Sequence, residues 1–301
     1  MAGYREATIP AGDSATLSLR IYEADAPKAV VKCIHGMEEY QDRYEGFASF
    51  LQDNGYTVVT ADLRGHGRTA PLLSHIADRD GHRLLLEDEK VILDEIGRRW
   101  PGLPVILFGH SMGTIVARAL LQTESGRFRK TVLSGYPNPN SAAGAGILLT
   151  KLLSAFKGAK GHSGLVDGMV LGPFSKAVPD AKSPLDWLSV NQENVKRYEA
   201  DPLCGVPFTL GSYNALFNLI RMMDRPEDYR NVNADLPILL ISGADDPCTG
   251  GEKGRADSLD RLKRAGFRNT EVVTLEGMRH EILNEEKRED VYRTILAFIE
   301  Q

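Results

Sequence analysis

Cysteine is scarce in this chain: 301 residues carry three, Cys33, Cys204 and Cys248, odd in number and far apart. None falls in a C-x-x-C spacing, so neither a disulfide framework nor a zinc site is expected, and a reducing cytosol suits the thiols. Long apolar runs are missing too. No window approaches the roughly 18 uninterrupted apolar residues of a membrane-spanning helix, and the opening "MAGYREATIP" sets charges and a proline where a secretory leader needs its apolar stretch. A soluble, cytoplasmic protein is the expectation. Charge of one sign is not in large excess: 36 Lys+Arg and 41 Asp+Glu are spread along the chain, a formal −5, with no basic stripe to meet nucleic acid and no acidic tail. No glycine-rich loop carries the lysine of a phosphate cradle, so no nucleotide is expected, and no other cofactor or metal either.

What the chain does have is a repeating alternation. Short runs rich in β-branched and large apolar residues recur as "AVVKCI" (29–34), "YTVVTAD" (56–62), "PVILFG" (104–109), "KTVLSG" (130–135), "PILLISG" (237–243) and "TEVVTLEG" (270–277). Each reads as a buried strand. Between them, "YEGFASFLQDNG" (44–55), "LLLEDEKVILDEIGRRW" (84–100) and "TIVARALLQT" (114–123) place apolar residues three and four apart, as amphipathic helices do. Strands alternating with helices over short joints predict an α/β fold, a mostly parallel central sheet flanked by helices on both faces. The early "ATLSLRIYEA" (15–24) alternates apolar and polar residues and reads as an antiparallel edge strand. From Asn138 to Arg230 no strong strand run occurs, so 1–137 and 231–301 are expected to form the core and 138–230 an inserted helical cap or lid.

The alternation gives meaning to "GHSMG" (109–113), which taken bare is a weak match to G-x-S-x-G. A strand run precedes Gly109 and a helical pattern follows Gly113, the setting of a sharp turn that lifts a nucleophilic serine above the sheet edge. Ser111 is therefore the candidate nucleophile. A serine hydroxyl needs a base and an orienting acid, and in this setting they follow in the order acid, then histidine. Only His162 and His280 lie beyond Ser111; His162 falls in the expected cap and His280 follows the last strand run, so His280 is the candidate base. The acid should follow "PILLISG", where Asp245 and Asp246 stand together. Asp246 is preferred, because Pro247 after it biases it toward an extended backbone, and Asp245 is the alternative. An oxyanion would be received by two backbone N–H groups, those of Met112 after the serine and Met37 in "HGMEEY" (35–40). His35 reads as a loop-fixing residue, as do Asp62, Arg64 and His66 of "DLRGHGRT".

The set "HGMEEYQDRY", "DLRGHGRT", "GHSMG", "GADDP" and "RHEILNE", in this order, resembles the α/β-hydrolase family, and within it the bacterial members of the monoacylglycerol lipase and lysophospholipase-like branch, also called serine aminopeptidase-like hydrolases. The resemblance covers nearly the whole chain. It implies a serine carboxylester hydrolase acting on a glycerol-linked acyl chain through an acyl-enzyme, with Ser111, Asp246 and His280 as triad and Met37 and Met112 as oxyanion donors. Many relatives have a smaller residue after "HG", which bears on pocket shape. A short-chain esterase or aminopeptidase-type hydrolase with the same triad is the alternative, and a non-catalytic ligand-binding protein of the same fold another. In the cap, "ILLTKLLSAFKGAKG" (147–161) and "GSYNALFNLIRMM" (211–223) offer Leu149, Leu153, Phe156, Leu216, Phe217 and Ile220 as walls of an acyl pocket, such caps lining an apolar tunnel in the family. The first stretch equally suits a helix packed on the core with its lysines in water, or one making transient contact with a membrane surface.

Overall fold

All six apolar runs become strands of one sheet, because each supplies side chains to both of its faces. In a computed structural model that describes residues 3–138, 142–179 and 181–301, the chain opens with β1 (Arg5–Pro10), β2 (Thr16–Tyr22) and β3 (Val30–Ile34). Then come α1 (Glu45–Asp53), β4 (Thr57–Ala61), α2 (Gly81–Arg99), β5 (Val105–His110), α3 (Met112–Glu124) and β6 (Lys130–Ser134). Five helices follow without a strand among the described residues: α4 (Ala143–Lys157), α5 (Gly164–Val170), α6 (Gly172–Lys176), α7 (Gln192–Ala200) and α8 (Leu210–Met223). The chain closes with β7 (Ile238–Gly243), α9 (Gly251–Arg264), β8 (Thr270–Leu275) and α10 (Arg288–Glu300).

The sheet runs β1-β2-β4-β3-β5-β6-β7-β8. From β4 to β8 every pairing is parallel, and β2 joins β4 antiparallel. Successive side chains of a strand point to opposite faces, and β3 shows the consequence: Val30 and Ile34 enter the core shared with α2 and α3, Val31 and Cys33 the one shared with α1 and α10. Lys32 on this central strand is fully buried and pairs with Glu89 of α2 at 2.9 Å while donating to the Cys33 carbonyl at 2.7 Å. That pair ties α2 to the sheet, and loss of either partner would leave an uncompensated buried charge.

Two expectations about edges are corrected. The segment 15–24 does form an antiparallel strand, but β1 pairs with β2 over six residues and takes the outer position. Its "REATIP" is largely exposed and ends in proline, features that an edge strand tolerates and a central strand does not. At the other edge β8 is only half-buried, because β7 covers just one of its sides. No helix among the described residues is long and apolar enough to cross a membrane.

Candidate active site

The strand-to-helix turn at Ser111 has the backbone strain its sequence context predicts. Ser111 sits at φ 51° and ψ −122° between β5 and α3, in a region that side-chain-bearing residues rarely adopt. Two glycines make the turn possible. A Cβ on Gly109 would come within 2.6 Å of the Gly113 carbonyl oxygen, and one on Gly113 would press into the Ile34 carbonyl oxygen at the end of β3. The turn is held by Ser111 N–H donating to the Ser134 carbonyl at 3.0 Å and by the Thr114 N–H and hydroxyl, each 2.8 Å from the Ser111 carbonyl.

Asp246 and His280 meet from loops that follow β7 and β8. His280 Nδ1 lies 3.0 and 3.1 Å from the two Asp246 carboxylate oxygens, with both residues 2% exposed. Asp246 Oδ1 also receives the Cys248 N–H at 2.9 Å, fixing the carboxylate from behind. A proton on Nδ1 directed at Asp246 leaves Nε2 with its lone pair free, the tautomer a general base requires. Asp245 is exposed and outside this arrangement. Ser111 and His280 line one cavity of about 600 Å³, together with Met37, Met112 and Cys248. Among the described residues the Ser111 hydroxyl has no hydrogen-bond partner; such bonds are commonly long before substrate binds. Among the described residues no group accepts from the Met37 or Met112 N–H, and Met112 is the first residue of α3, where helix donors lack internal partners.

Two buried imidazoles lie side by side here and titrate in opposite directions. The His280 ring packs 4.8 Å from His110 and 5.0 Å from Trp187. Burial lowers the His280 pKa, but Asp246, its hydrogen bond, Glu281 and Glu39 outweigh that cost, and the net displacement is above the ordinary value of 6.5. His110 is pushed down to about 3 by burial and by His280, so it stays neutral. Neither His110 nor Trp187 is singled out by the sequence reading; Trp187, one of two tryptophans, carried the better signal.

Of the residues expected to wall the pocket, Leu149, Leu216, Phe217 and Ile220 reach the cavity, while Leu153 and Phe156 do not. The reason lies in how α4 packs. Its buried side is Ala143, Gly146, Ile147 and Thr150, so closely applied to α8 that a Cβ on Gly146 would lie 2.8 Å from the Phe217 ring. One residue further round the helix, Leu148, Leu152 and Phe156 are 70%, 57% and 83% exposed. Leu153 is half-buried against the main core.

His35 fixes its loop as expected: Nε2 accepts the Leu63 N–H at 2.8 Å and Nδ1 meets the Gly36 carbonyl at 2.8 Å. Asp62 likewise accepts the N–H groups of Gln41 and Arg68. Among the described residues, only Asp246, Cys248 and His280 bring three potential metal-ligand atoms within 4.8 Å of one another, and the Asp246–His280 hydrogen bond already engages two of the three.

A protein-family model described as serine aminopeptidase, S33, matches residues 25–287. The chain belongs to that family. It is 27% identical over 281 residues to phospholipase YtpA of Bacillus subtilis, covering 93% of this chain and 98% of that protein. It is 26% identical over 277 residues to a monoacylglycerol lipase of Mycolicibacterium smegmatis, covering 91% and 88%. The solved structure of a thermostable carboxyl esterase from Bacillus coagulans, in complex with glycerol, superposes with a TM-score of 0.91 at 23% identity over 100% of this chain and 99% of that one. The fold is that of the α/β-hydrolases. Fold alone does not name a reaction; the side chains at the site do.

Proposed function

We propose that this protein is a serine carboxylester hydrolase that cleaves a glycerol-linked acyl ester, a monoacylglycerol or lysophospholipid, through an acyl-enzyme. Ser111 Oγ attacks the ester carbonyl while His280 Nε2 takes its proton and Asp246 stabilises the imidazolium. The developing oxyanion is received by the Met37 and Met112 N–H groups. His280 then protonates the departing alcohol, water enters, and the same histidine activates it to release the acid. The observation that carries the reading is a strained Ser111 opening onto the same apolar cavity as an aspartate-bonded, fully buried His280. Relatives named phospholipase and monoacylglycerol lipase support the substrate class.

In this reading residues 138–230 form a cap over the core made of 1–137 and 231–301. Leu149, Leu216, Phe217 and Ile220 are the acyl-chain wall, supported by their place on the cavity. The exposed row Leu148, Leu152 and Phe156, with Leu165 and Met169 of α5 also exposed, is the surface that meets aggregated lipid. We place the protein in the cytoplasm, in keeping with three buried, unpaired cysteines.

The test is a substrate panel on purified protein: a long-chain monoacylglycerol, a lysophospholipid, a short ester and an amino-acyl amide, each with wild type and Ser111→Ala. Long-chain glycerol esters should be preferred, and Ser111→Ala should abolish both turnover and fluorophosphonate labelling. Labelling that survives in Ser111→Ala sinks the assignment of the nucleophile, and a wild type that neither labels nor turns over sinks the enzyme.

A further inference from the structure

A buried charge network stands beside the site, and the mechanism above makes no use of it. Arg43, just before α1, has only 10% of its side chain exposed and faces two carboxylates from opposite ends of the chain. Its Nε lies 3.2 Å from Glu39 Oε2, and its Nη2 meets Glu281 Oε2 and, at 3.2 Å, Asn194 Oδ1 of α7. Each carboxylate in turn holds a segment of the site. Glu39 Oε1 accepts the Gly36 N–H at 2.5 Å, one residue ahead of Met37, and the Tyr44 hydroxyl at 2.7 Å. Glu281 follows His280 directly and accepts the Asn194 amide at 2.6 Å. The Arg43 guanidinium also lies over the Tyr198 ring at 4.9 Å, and the Tyr198 hydroxyl donates to the Glu38 carbonyl at 2.8 Å.

We propose that Arg43 is a positioning residue, which locks the Met37 loop and the His280 loop to each other through Glu39 and Glu281. The inference rests on the assignment of His280 as the base. One cation between two carboxylates leaves a single net negative charge beside the imidazole. The titratable groups around His280 are Asp246, Glu39, Glu281, Cys248 and the neutral His110, with Arg43 behind the two glutamates. Without Arg43, two uncompensated carboxylates act on His280 and favour its protonated form, while the loop carrying the oxyanion donor loses its anchor. Without the Glu281 charge, the effect on His280 has the opposite sign. Because the surroundings are dry, each change acts with little screening.

The experiment compares Arg43→Met, Arg43→Lys and Glu281→Gln by histidine-ring NMR titration and by the pH dependence of kcat/KM on a soluble short-chain nitrophenyl ester. Arg43→Met should raise the apparent His280 pKa by about one unit and lower kcat at least tenfold, with KM within about threefold. Glu281→Gln should lower that pKa, and Arg43→Lys, which keeps the charge that Arg43→Met removes, should leave it near the wild-type value. A non-specific loss of structure cannot move the two variants in opposite directions. Shifts of the same sign, or none in variants that keep the wild-type melting temperature, overturn the proposal; if Arg43→Met does not fold, an unmoved His280 in Glu281→Gln does so alone. The titration needs no turnover, so a wild type without esterase activity counts against the hydrolase reading and not against this one.

Discussion

Glu38 should make the protein less stable as the pH rises, and replacing it with glutamine should remove the effect. The residue is 8% exposed, stands at φ 56°, and its Oε1 has no hydrogen-bond partner among the described residues. Burial, with Asp167 nearby, pushes its carboxyl from 4.5 up to about 8. Folding must then hold the acid neutral, or bury the charge, wherever the unfolded chain would ionise it. The sign follows from proton counts. Between pH 4.5 and 8 the folded state binds a proton that the unfolded state has released, so stability falls across that window and levels off above it. At about 1.4 kcal/mol per pH unit, the cost is near zero at pH 4.5 and on the order of 4–5 kcal/mol by pH 9. Glutamine keeps the shape and cannot ionise; its buried amide has a cost of about 1–3 kcal/mol that does not vary with pH. The quantity to follow is therefore the change in the Tm difference, Glu38→Gln minus wild type, from pH 5 to pH 9. It should rise by something on the order of 8 °C. A difference that stays constant within about 2 °C, or falls toward pH 9, refutes the reasoning.

Other consequences are simpler to state. Asp246→Asn should reduce kcat on the order of a thousandfold to ten-thousandfold by disturbing the His280 tautomer, whereas Asp245→Asn, at an exposed position, should stay within about threefold. Since the His280 pKa is raised, kcat/KM should fall as the pH drops through an apparent pKa above 6.5. The stabilising His280–Asp246 pair, conversely, is fully present below 6.5 and lost as the pH climbs through the raised value, which a pH series of melting curves on wild type and His280→Gln would register. Gly113→Ala should destabilise the fold by about 2–3 kcal/mol, read as a drop in Tm, because its Cβ has only the Ile34 carbonyl to move into. A Leu148→Ser, Leu152→Ser double variant should hydrolyse a soluble short ester at the wild-type rate and an emulsified long-chain ester several-fold more slowly; equal rates on both would remove the lipid-contact surface from the proposed function.

Strands were the most legible part of this protein in its sequence. A strand buried on both faces needs a near-continuous apolar run, and each of the six runs forms a parallel pairing within a residue or two of its expected bounds, half-buried β8 included. β1 escaped notice because an edge strand needs no such run, and "REATIP" has none. Helix α4 misled for a related reason. With leucine, isoleucine or phenylalanine at six of the ten positions 147–156, it offers no single apolar stripe to read, and the face that packs is chosen by Gly146, whose missing side chain admits the Phe217 ring.

At the site the division is sharper. Chain order and local context name Ser111, Asp246 and His280 as candidates, since a nucleophile turn demands glycines beside it and its partners fall after later strands. Preference for Asp246 over its neighbour rests in the sequence on Pro247 and on the family resemblance, and burial of one carboxylate with exposure of the other comes from the tertiary packing. The opposed titration of His110 and His280, the Trp187 ring against the imidazole and the Glu39–Arg43–Glu281 network are products of that packing as well. Arg43 and Glu281 are 238 residues apart in the chain. Local sequence determines how a segment bends and which side chains it can bury; which distant charges share a dry interior, and so what each proton costs, is decided only when the sheet has brought those segments together.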